Sequence, residues 1–169
     1  MKKIFLSANI IFLILLTACG TKTESELFDE AQKNIDEKNY TEALTNFEMI
    51  VEKYPNGKYT EGAILEIGKL YHGKVVKNIT ESESMKKAVE YYKQVFEKYP
   101  EHKDAKQAMF MAGFILANDI KDYDQAREIY NKFIEKYPDS ELAFSAKSEL
   151  ENLGKDPEEI LQSKSAKAQ

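Results

Sequence analysis

Cysteine, histidine and tryptophan are scarce in this sequence of 169 residues, which contains one cysteine, two histidines and no tryptophan. A single cysteine cannot form a disulfide bond within the chain. His72 and His102 lie far apart, and neither a His-Glu-x-x-His motif nor a glycine-rich phosphate loop occurs. Because no convergent set of polar groups is evident, we expect no enzymatic activity, no metal site and no non-covalent cofactor.

Basic residues are fewer than acidic residues. The chain has 24 lysines and arginines against 29 aspartates and glutamates, which gives a net charge of −5. An acidic chain with evenly mixed charges argues against nucleic acid as a partner and against a polybasic contact with a membrane. Any membrane attachment must then come from acyl chains, of which more than one is needed for stable anchoring.

The longest mostly apolar stretch lies at the N-terminus, where residues 4–16 follow Lys2 and Lys3 and are interrupted only by Ser7 and Asn9. A helix of this length rises about 20 Å, which is short of the ~30 Å hydrocarbon layer of a bilayer. The segment is therefore typical of a secretory signal peptide rather than a membrane span, and we expect the signal to occupy residues 1–18.

The signal segment ends in the stretch Leu16-Thr17-Ala18-Cys19-Gly20. This stretch resembles the lipobox of bacterial lipoproteins, which implies cleavage before Cys19 and diacylglycerol and palmitate at that residue. Residues 19–23 would form the lipidated tether. Under the proteobacterial sorting rule, glycine after the cysteine favours the periplasmic face of the outer membrane, with the outer leaflet of the inner membrane as the alternative. A stray cysteine in an ordinary signal peptide is the other reading.

Three nearly identical pentapeptides, VEKYP, FEKYP and IEKYP, end at Pro55, Pro100 and Pro138. Alignment on these prolines brings other residues into register at spacings of three and four, which predicts one buried face of a helix. The aligned residues are Ala43, Ala88 and Ala126, then Phe47, Tyr92 and Tyr130, then Ile50, Val95 and Phe133, then Ala63, Ala108 and Ala146, and lastly Gly68 and Gly113. The pattern predicts pairs of helices, with the tyrosine before each proline wedged between one pair and the next.

The pattern resembles the tetratricopeptide repeat. The apolar-Gly-x-x-aromatic signature of that repeat's first helix is matched by the stretch Ile67-Gly68-Lys69-Leu70-Tyr71. The resemblance implies an all-α fold in which antiparallel helix pairs stack into a solenoid. The expected segments are repeats at about 24–55, 58–100 and 103–138, a capping helix at 140–154, and a short helix with a disordered tail at 155–169.

The first helices of tetratricopeptide repeats line a concave groove. The resemblance assigns to this groove Phe28, Gln32, Leu65, Lys69, His72, Phe110 and Phe114. Phe28, Leu65 and Phe110 hold equivalent places, and we expect all three to be at least partly exposed, as an apolar stripe that seats a helix or extended segment of a partner. The alternative is that these side chains fill gaps within the solenoid.

A lipobox followed closely by such repeats resembles the outer-membrane assembly lipoproteins of the BamD type. The resemblance implies a non-enzymatic, lipid-anchored scaffold that binds envelope proteins, including outer-membrane assembly components. This chain departs from that family in having fewer repeats. A periplasmic accessory protein of the Tol–Pal type and an envelope lipoprotein that binds a small molecule or glycan are the alternatives.

Overall fold

A computed structural model describes residues 22–156 and 158–162, and the secondary structure within them is helical. The predicted signal peptide, Cys19 and the final seven residues lie outside the described residues. The helices are α1 (Glu24–Asp36), α2 (Tyr40–Lys53), α3 (Thr60–His72), α4 (Glu81–Lys98), α5 (Ala105–Ile115), a π-helix (Leu116–Ile120), α6 (Tyr123–Lys136) and α7 (Glu141–Asn152). Within the described part of the chain, no helix is long and apolar enough to cross a membrane.

The helices pack in chain order. The pairs α1–α2, α3–α4 and α5–α6 each pack together, and α2–α3, α4–α5 and α6–α7 join one pair to the next. One continuous hydrophobic core runs through all of them. This arrangement confirms the predicted all-α solenoid of helix pairs with a further helix after the third pair.

The aligned small residues lie where helices approach each other most closely. Ala43, Ala88 and Ala126 are 0% exposed. A Cβ added to Gly113 would lie 2.9 Å from Cε1 of Tyr130, and one added to Gly68 would lie 3.2 Å from the ring of Tyr92. Since real Cβ atoms rarely come this close to a neighbour, glycine is what allows the two helices of a pair to make contact here.

The EKYP repeats end three helices in the same way. Helices α2, α4 and α6 stop one residue before Tyr54, Tyr99 and Tyr137, whose φ angles are −127°, −127° and −130° and whose ψ angles are 54°, 58° and 54°. A residue before proline is disfavoured in the helical region, and proline itself cannot donate to the helix. All three rings are partly buried against the core, which confirms the predicted structural role of these tyrosines.

The spacing from Gly113 to Ala126 in the third repeat is one residue longer than the spacing from Ala31 to Ala43 in the first repeat. In the structure, a π-helix takes up this extra residue. The last turn before α6 is a π-helix, and Lys121 then takes a left-handed conformation with φ of 64°. The N–H of Asp122 donates to the carbonyl of Leu116 at 2.9 Å. A π turn accommodates an inserted residue without breaking the helix, and nothing in the sequence pattern predicts it.

Helix starts follow the capping pattern at most of the expected places. The Thr-x-x-Glu spacing predicts capping boxes at Thr23 and Thr80, and both form with reciprocal bonds to the third helical residue. Near the C-terminus, Oδ1 of Asp156 accepts from the N–H of Glu159 at 2.9 Å, as expected for a helix start. The similar spacing Asn39-x-x-Glu42 predicts a cap at Asn39 as well. That prediction is wrong, because the side chain of Asn39 makes no cap and instead donates to Glu37.

Candidate partner-binding groove

The residues assigned to the groove differ in how much they face solvent. Lys69 is exposed, and Phe28, Gln32, His72, Phe110 and Phe114 are partly exposed. Leu65 is only 4% exposed. The expectation that Leu65 is partly exposed is therefore wrong. It occupies the same place as the two phenylalanines, but its shorter side chain belongs to the buried core, whereas Phe28 and Phe110 are only partly buried against that core.

Phe28 is a packing residue on most of its surface. Its ring lies 5.7 Å from that of Phe47 on α2 and 4.9 Å from that of Tyr59, measured between centroids. A Cβ on Gly62 would lie 3.5 Å from it. Phe28 thus joins α1 to α2 and to the beginning of α3. The alternative raised by the sequence, that these rings fill gaps within the solenoid, describes Phe28 well.

Phe110 also contacts the second helix of its own pair. Its centroid lies 5.9 Å from that of Tyr130 and 6.0 Å from that of Phe133, both on α6. Edge contacts of this kind stabilise a pair of aromatic rings beyond the burial of area. Phe110 therefore stabilises the third repeat, and only part of its ring is available to a partner.

Among the aromatic residues assigned to the groove, Phe114 makes the fewest contacts with other rings of the fold. It lies one turn after Phe110 on α5 and is partly exposed, as is Met111. In the described part of the chain its ring makes none of the aromatic contacts seen for Phe28 and Phe110. Its carbonyl accepts from Asn118 at 3.1 Å, which ties the end of α5 to the π-helix. Phe114 and Met111 give this part of the groove an apolar surface.

The middle of the groove is polar. Lys69 pairs with Glu66 at 2.8 Å, and Nδ1 of His72 lies 3.3 Å from the hydroxyl of Tyr92. Burial lowers the pKa of His72, with Lys74 acting in the same direction and Asp119 opposing both. His72 is therefore neutral at pH 7, so its Nδ1 can accept a hydrogen bond from Tyr92, whose own pKa is raised by burial to about 12.

The hydroxyl of Tyr130 is buried and has no hydrogen-bond partner among the described residues. Tyr130 is equivalent to Tyr92, but Ala117 stands where His72 stands in the second repeat. Alanine cannot bond to the hydroxyl. Burial, together with the charge of Glu149, raises the pKa of Tyr130, so the hydroxyl stays protonated. It remains without a hydrogen-bond partner among the described residues.

Replacing Tyr130 by phenylalanine is expected to leave the free energy of unfolding unchanged or to raise it by up to about 1 kcal/mol, because an unpaired buried hydroxyl is removed. The same change at Tyr92 is expected to lower it by about 1 kcal/mol, because the bond to His72 is lost. Urea unfolding followed by circular dichroism measures both. Equal losses at the two sites would contradict the different roles of the two hydroxyls.

Sequence reasoning missed a group of contacts at the N-terminal end of the solenoid. The carboxylate of Glu24 accepts from the N–H of Lys58 at 3.0 Å and from the N–H of Tyr59 at 2.7 Å, while the hydroxyl of Thr60 donates to the carbonyl of Tyr54. Glu24 lies in the first turn of α1, so it holds the turn that precedes α3 against the beginning of α1.

Metal chemistry has no support in the described residues, where no three histidine, aspartate or glutamate side chains are grouped closely enough to hold an ion. The residues assigned to the groove are polar at His72 and Lys69 and apolar at Phe114.

Comparison with known proteins identifies the family. Residues 21–156 match the family model described as YfiO, outer membrane lipoprotein. Similar proteins include the outer membrane protein assembly factor BamD of Neisseria gonorrhoeae, 23% identical over 183 residues that cover 90% of this chain and 65% of that protein. BamD of Neisseria meningitidis serogroup B is 22% identical with the same coverage.

The chain thus spans 65% of the length of these relatives. The match confirms the resemblance to BamD-type lipoproteins and, at the level of the family, the expected outer-membrane location. It covers helices α1 to α7. The chain belongs to the YfiO family of outer membrane lipoproteins.

Proposed function

We propose that this protein is a non-enzymatic, lipid-anchored scaffold that holds components of outer-membrane protein assembly at the membrane. Membership of the YfiO family supports the location, and the relatives named outer membrane protein assembly factor support the process. The observation that carries the binding role is the partly exposed apolar surface of Phe114 and Met111 on α5.

The anchor in this proposal is Cys19, the only cysteine of the chain, which directly follows Leu16-Thr17-Ala18. The first described residue, Lys22, is three positions further on. Lipidated Cys19 would hold the solenoid directly at the membrane surface. Membrane attachment through acyl chains agrees with an acidic domain that has no polybasic patch.

The partner we propose for the groove is an apolar helix or extended segment of another envelope protein. Partly exposed aromatic side chains on a rigid helix are suitable anchors, because a few buried aromatic residues supply most of the binding energy of an interface. Phe114 meets this description, whereas Phe28 and Phe110 use much of their ring surface within the fold. Gln32, Lys69 and His72 would supply polar contacts on either side of the apolar part.

Truncating Phe114 to alanine is expected to weaken capture of an outer-membrane assembly component by roughly thirtyfold, which corresponds to the ~2 kcal/mol typical of an aromatic anchor. The measurement is affinity capture from detergent-solubilised envelopes, titrated and quantified by mass spectrometry. The matched control is Phe144→Ala on α7, because Phe144 is an exposed phenylalanine outside the groove.

The Phe144 variant is expected to change the free energy of unfolding by no more than about 0.5 kcal/mol. The Phe114 variant is expected to stay folded, which circular dichroism checks and which separates lost binding from lost folding. If the Phe114 variant stays folded and captures every assembly component as wild type does, the groove is not the binding site. If capture falls equally in both variants, the contact is not specific to the groove.

A further inference from the structure

The chain between the proposed anchor and the fold is too short to let the solenoid move freely. Lys22 lies three residues after Cys19. With at most about 3.6 Å per residue, Lys22 stays within about 11 Å of the lipidated residue. Whatever part of the fold is fixed to Lys22 is therefore held near the lipid surface. The following inference rests on the lipid anchor proposed above.

Lys22 is fixed to the turn that joins α2 to α3, residues 54–60. The hydroxyl of Tyr54 donates to the carbonyl of Lys22 at 2.8 Å. Two residues later, Glu24 accepts hydrogen bonds from the backbone N–H groups of Lys58 and Tyr59. We call this set of bonds, made by Tyr54 and Glu24, the tether clamp. It connects the beginning of the folded chain to a segment more than thirty residues away.

Gly57 makes room for the clamp. A Cβ at this position would lie 2.1 Å from Oε1 of Glu24. Because this distance is shorter than any ordinary contact, a side chain at position 57 would displace the carboxylate. Gly57 has a negative φ, so the requirement for glycine comes from the close approach of Glu24 rather than from backbone conformation.

The clamp is not a general property of the repeat. At the equivalent turns, His102 and Ser140 stand in place of Gly57. Nδ1 of His102 accepts from the N–H of Asp104 at 3.2 Å, and the hydroxyl of Ser140 accepts from the N–H of Leu142 at 3.3 Å. Those turns are stabilised by their own side chains. Only the turn nearest the anchor takes its bonds from the N-terminal end of α1.

We propose that residues 54–60 face the phospholipid surface, with Asn56 and Lys58 against the headgroups. Both side chains are exposed, as is that of the neighbouring Pro55. The ammonium group of Lys58 suits a lipid phosphate, and Asn56 can bond to phosphate or glycerol oxygens. The short tether and the clamp together direct the N-terminal end of α1 and the C-terminal end of α2 toward the membrane.

The orientation can be measured with a label at each end of the first helix pair. Asn56→Cys labels the clamped turn, and Glu37→Cys labels the opposite end, beyond the 13 residues of α1. Acylation of Cys19 leaves the introduced thiol as the only free one. The lipidated protein is incorporated into vesicles of phosphatidylethanolamine and phosphatidylglycerol, with a nitroxide on a fraction of the headgroups, and fluorescence quenching of the label is measured.

Quenching at position 56 is expected to exceed that at position 37 by at least about fivefold, because α1 separates the two labels by about 20 Å. Equal quenching, or stronger quenching at position 37, would overturn the inference. The acyl group is checked separately by the mass of the N-terminal peptide and by flotation with the vesicles. A protein without the acyl group refutes the proposed anchor and this inference together, whereas an acylated protein with equal quenching refutes the orientation alone.

The role of the clamp is tested by Tyr54→Phe and Glu24→Ala in the Asn56→Cys background. Each variant is expected to lose at least half of the quenching at position 56 while retaining its acyl group and its helical circular dichroism. Tyr54→Phe removes one hydroxyl only, so it tests the clamp even if Glu24→Ala unfolds. Unchanged quenching in a folded Tyr54→Phe variant would show that the clamp does not set the orientation.

Discussion

Phe47→Ala is expected to lower the free energy of unfolding by about 3–5 kcal/mol, the usual cost of truncating a buried phenylalanine. Phe47 is fully buried, and it lies where α2 meets α1, with its ring against that of Phe28. A loss of this size is a large fraction of the ~5–15 kcal/mol that stabilises a typical domain. Urea unfolding followed by circular dichroism measures it.

Phe144→Ala is the control for this prediction. Phe144 is 81% exposed on α7, so its truncation is expected to change stability by no more than about 0.5 kcal/mol. If both variants lose the same free energy, the aligned aromatic position does not form the core of the repeat. If Phe47→Ala has no effect, the pairing of α1 with α2 contributes little to folding.

Cys19→Ser is expected to move the protein almost completely from the membrane fraction to the soluble fraction, or to leave the signal peptide uncleaved. Serine has no thiol to carry the lipid, and the rest of the chain offers no membrane-spanning helix among its described residues. Each buried CH₂ of an acyl chain contributes about 0.8 kcal/mol, so the loss of the chains removes the whole anchoring energy.

Detergent phase partitioning and immunoblotting of fractionated cells measure this change. Thr21→Ser, two positions after the cysteine, keeps the lipobox and is expected to fractionate as wild type does. A Cys19→Ser protein that is processed and still partitions into detergent would contradict lipidation at this residue.

Much of the fold could be predicted because the residues that end each helix and the residues that form its buried face are recognisable in the local sequence of each repeat. Each proline ends a helix through its own backbone, and the alanines and aromatic residues recur at the spacing of one helix face. Ala43, Ala88 and Ala126 are buried because each repeat brings its two helices together at the same point. The same pattern occurs in three copies, so the prediction of helix pairs does not depend on any single residue.

The features that sequence reasoning missed depend on neighbours that the local pattern does not specify. Leu65 shares its alignment position with Phe28 and Phe110, but the length of its side chain and the flanking helices decide its exposure. Glu24 reaches a turn more than thirty residues away. The π turn after Ile115 absorbs a single inserted residue, and an insertion alone does not show whether a loop or a helix takes it up.

The candidate site illustrates the same limit. The residues that the resemblance assigns to the groove lie on α1, α3 and α5, but the resemblance does not separate packing from binding at equivalent positions. Phe28 and Phe110 are held by Phe47, Tyr59, Tyr130 and Phe133, contacts that follow from the tertiary structure. Truncation of Phe114, rather than of Phe28 or Phe110, is therefore the change that tests the groove without removing these core contacts.

Photo-crosslinking in living cells tests most directly whether partners dock in the groove. A photoreactive amino acid replaces Phe114 in one strain and Phe144 in another, in an otherwise unchanged lipidated protein. Illumination is expected to join an outer-membrane assembly component to position 114 and not to position 144. If that component is crosslinked only from position 144, or from neither position, the groove at Phe114 is not where this protein holds its partner.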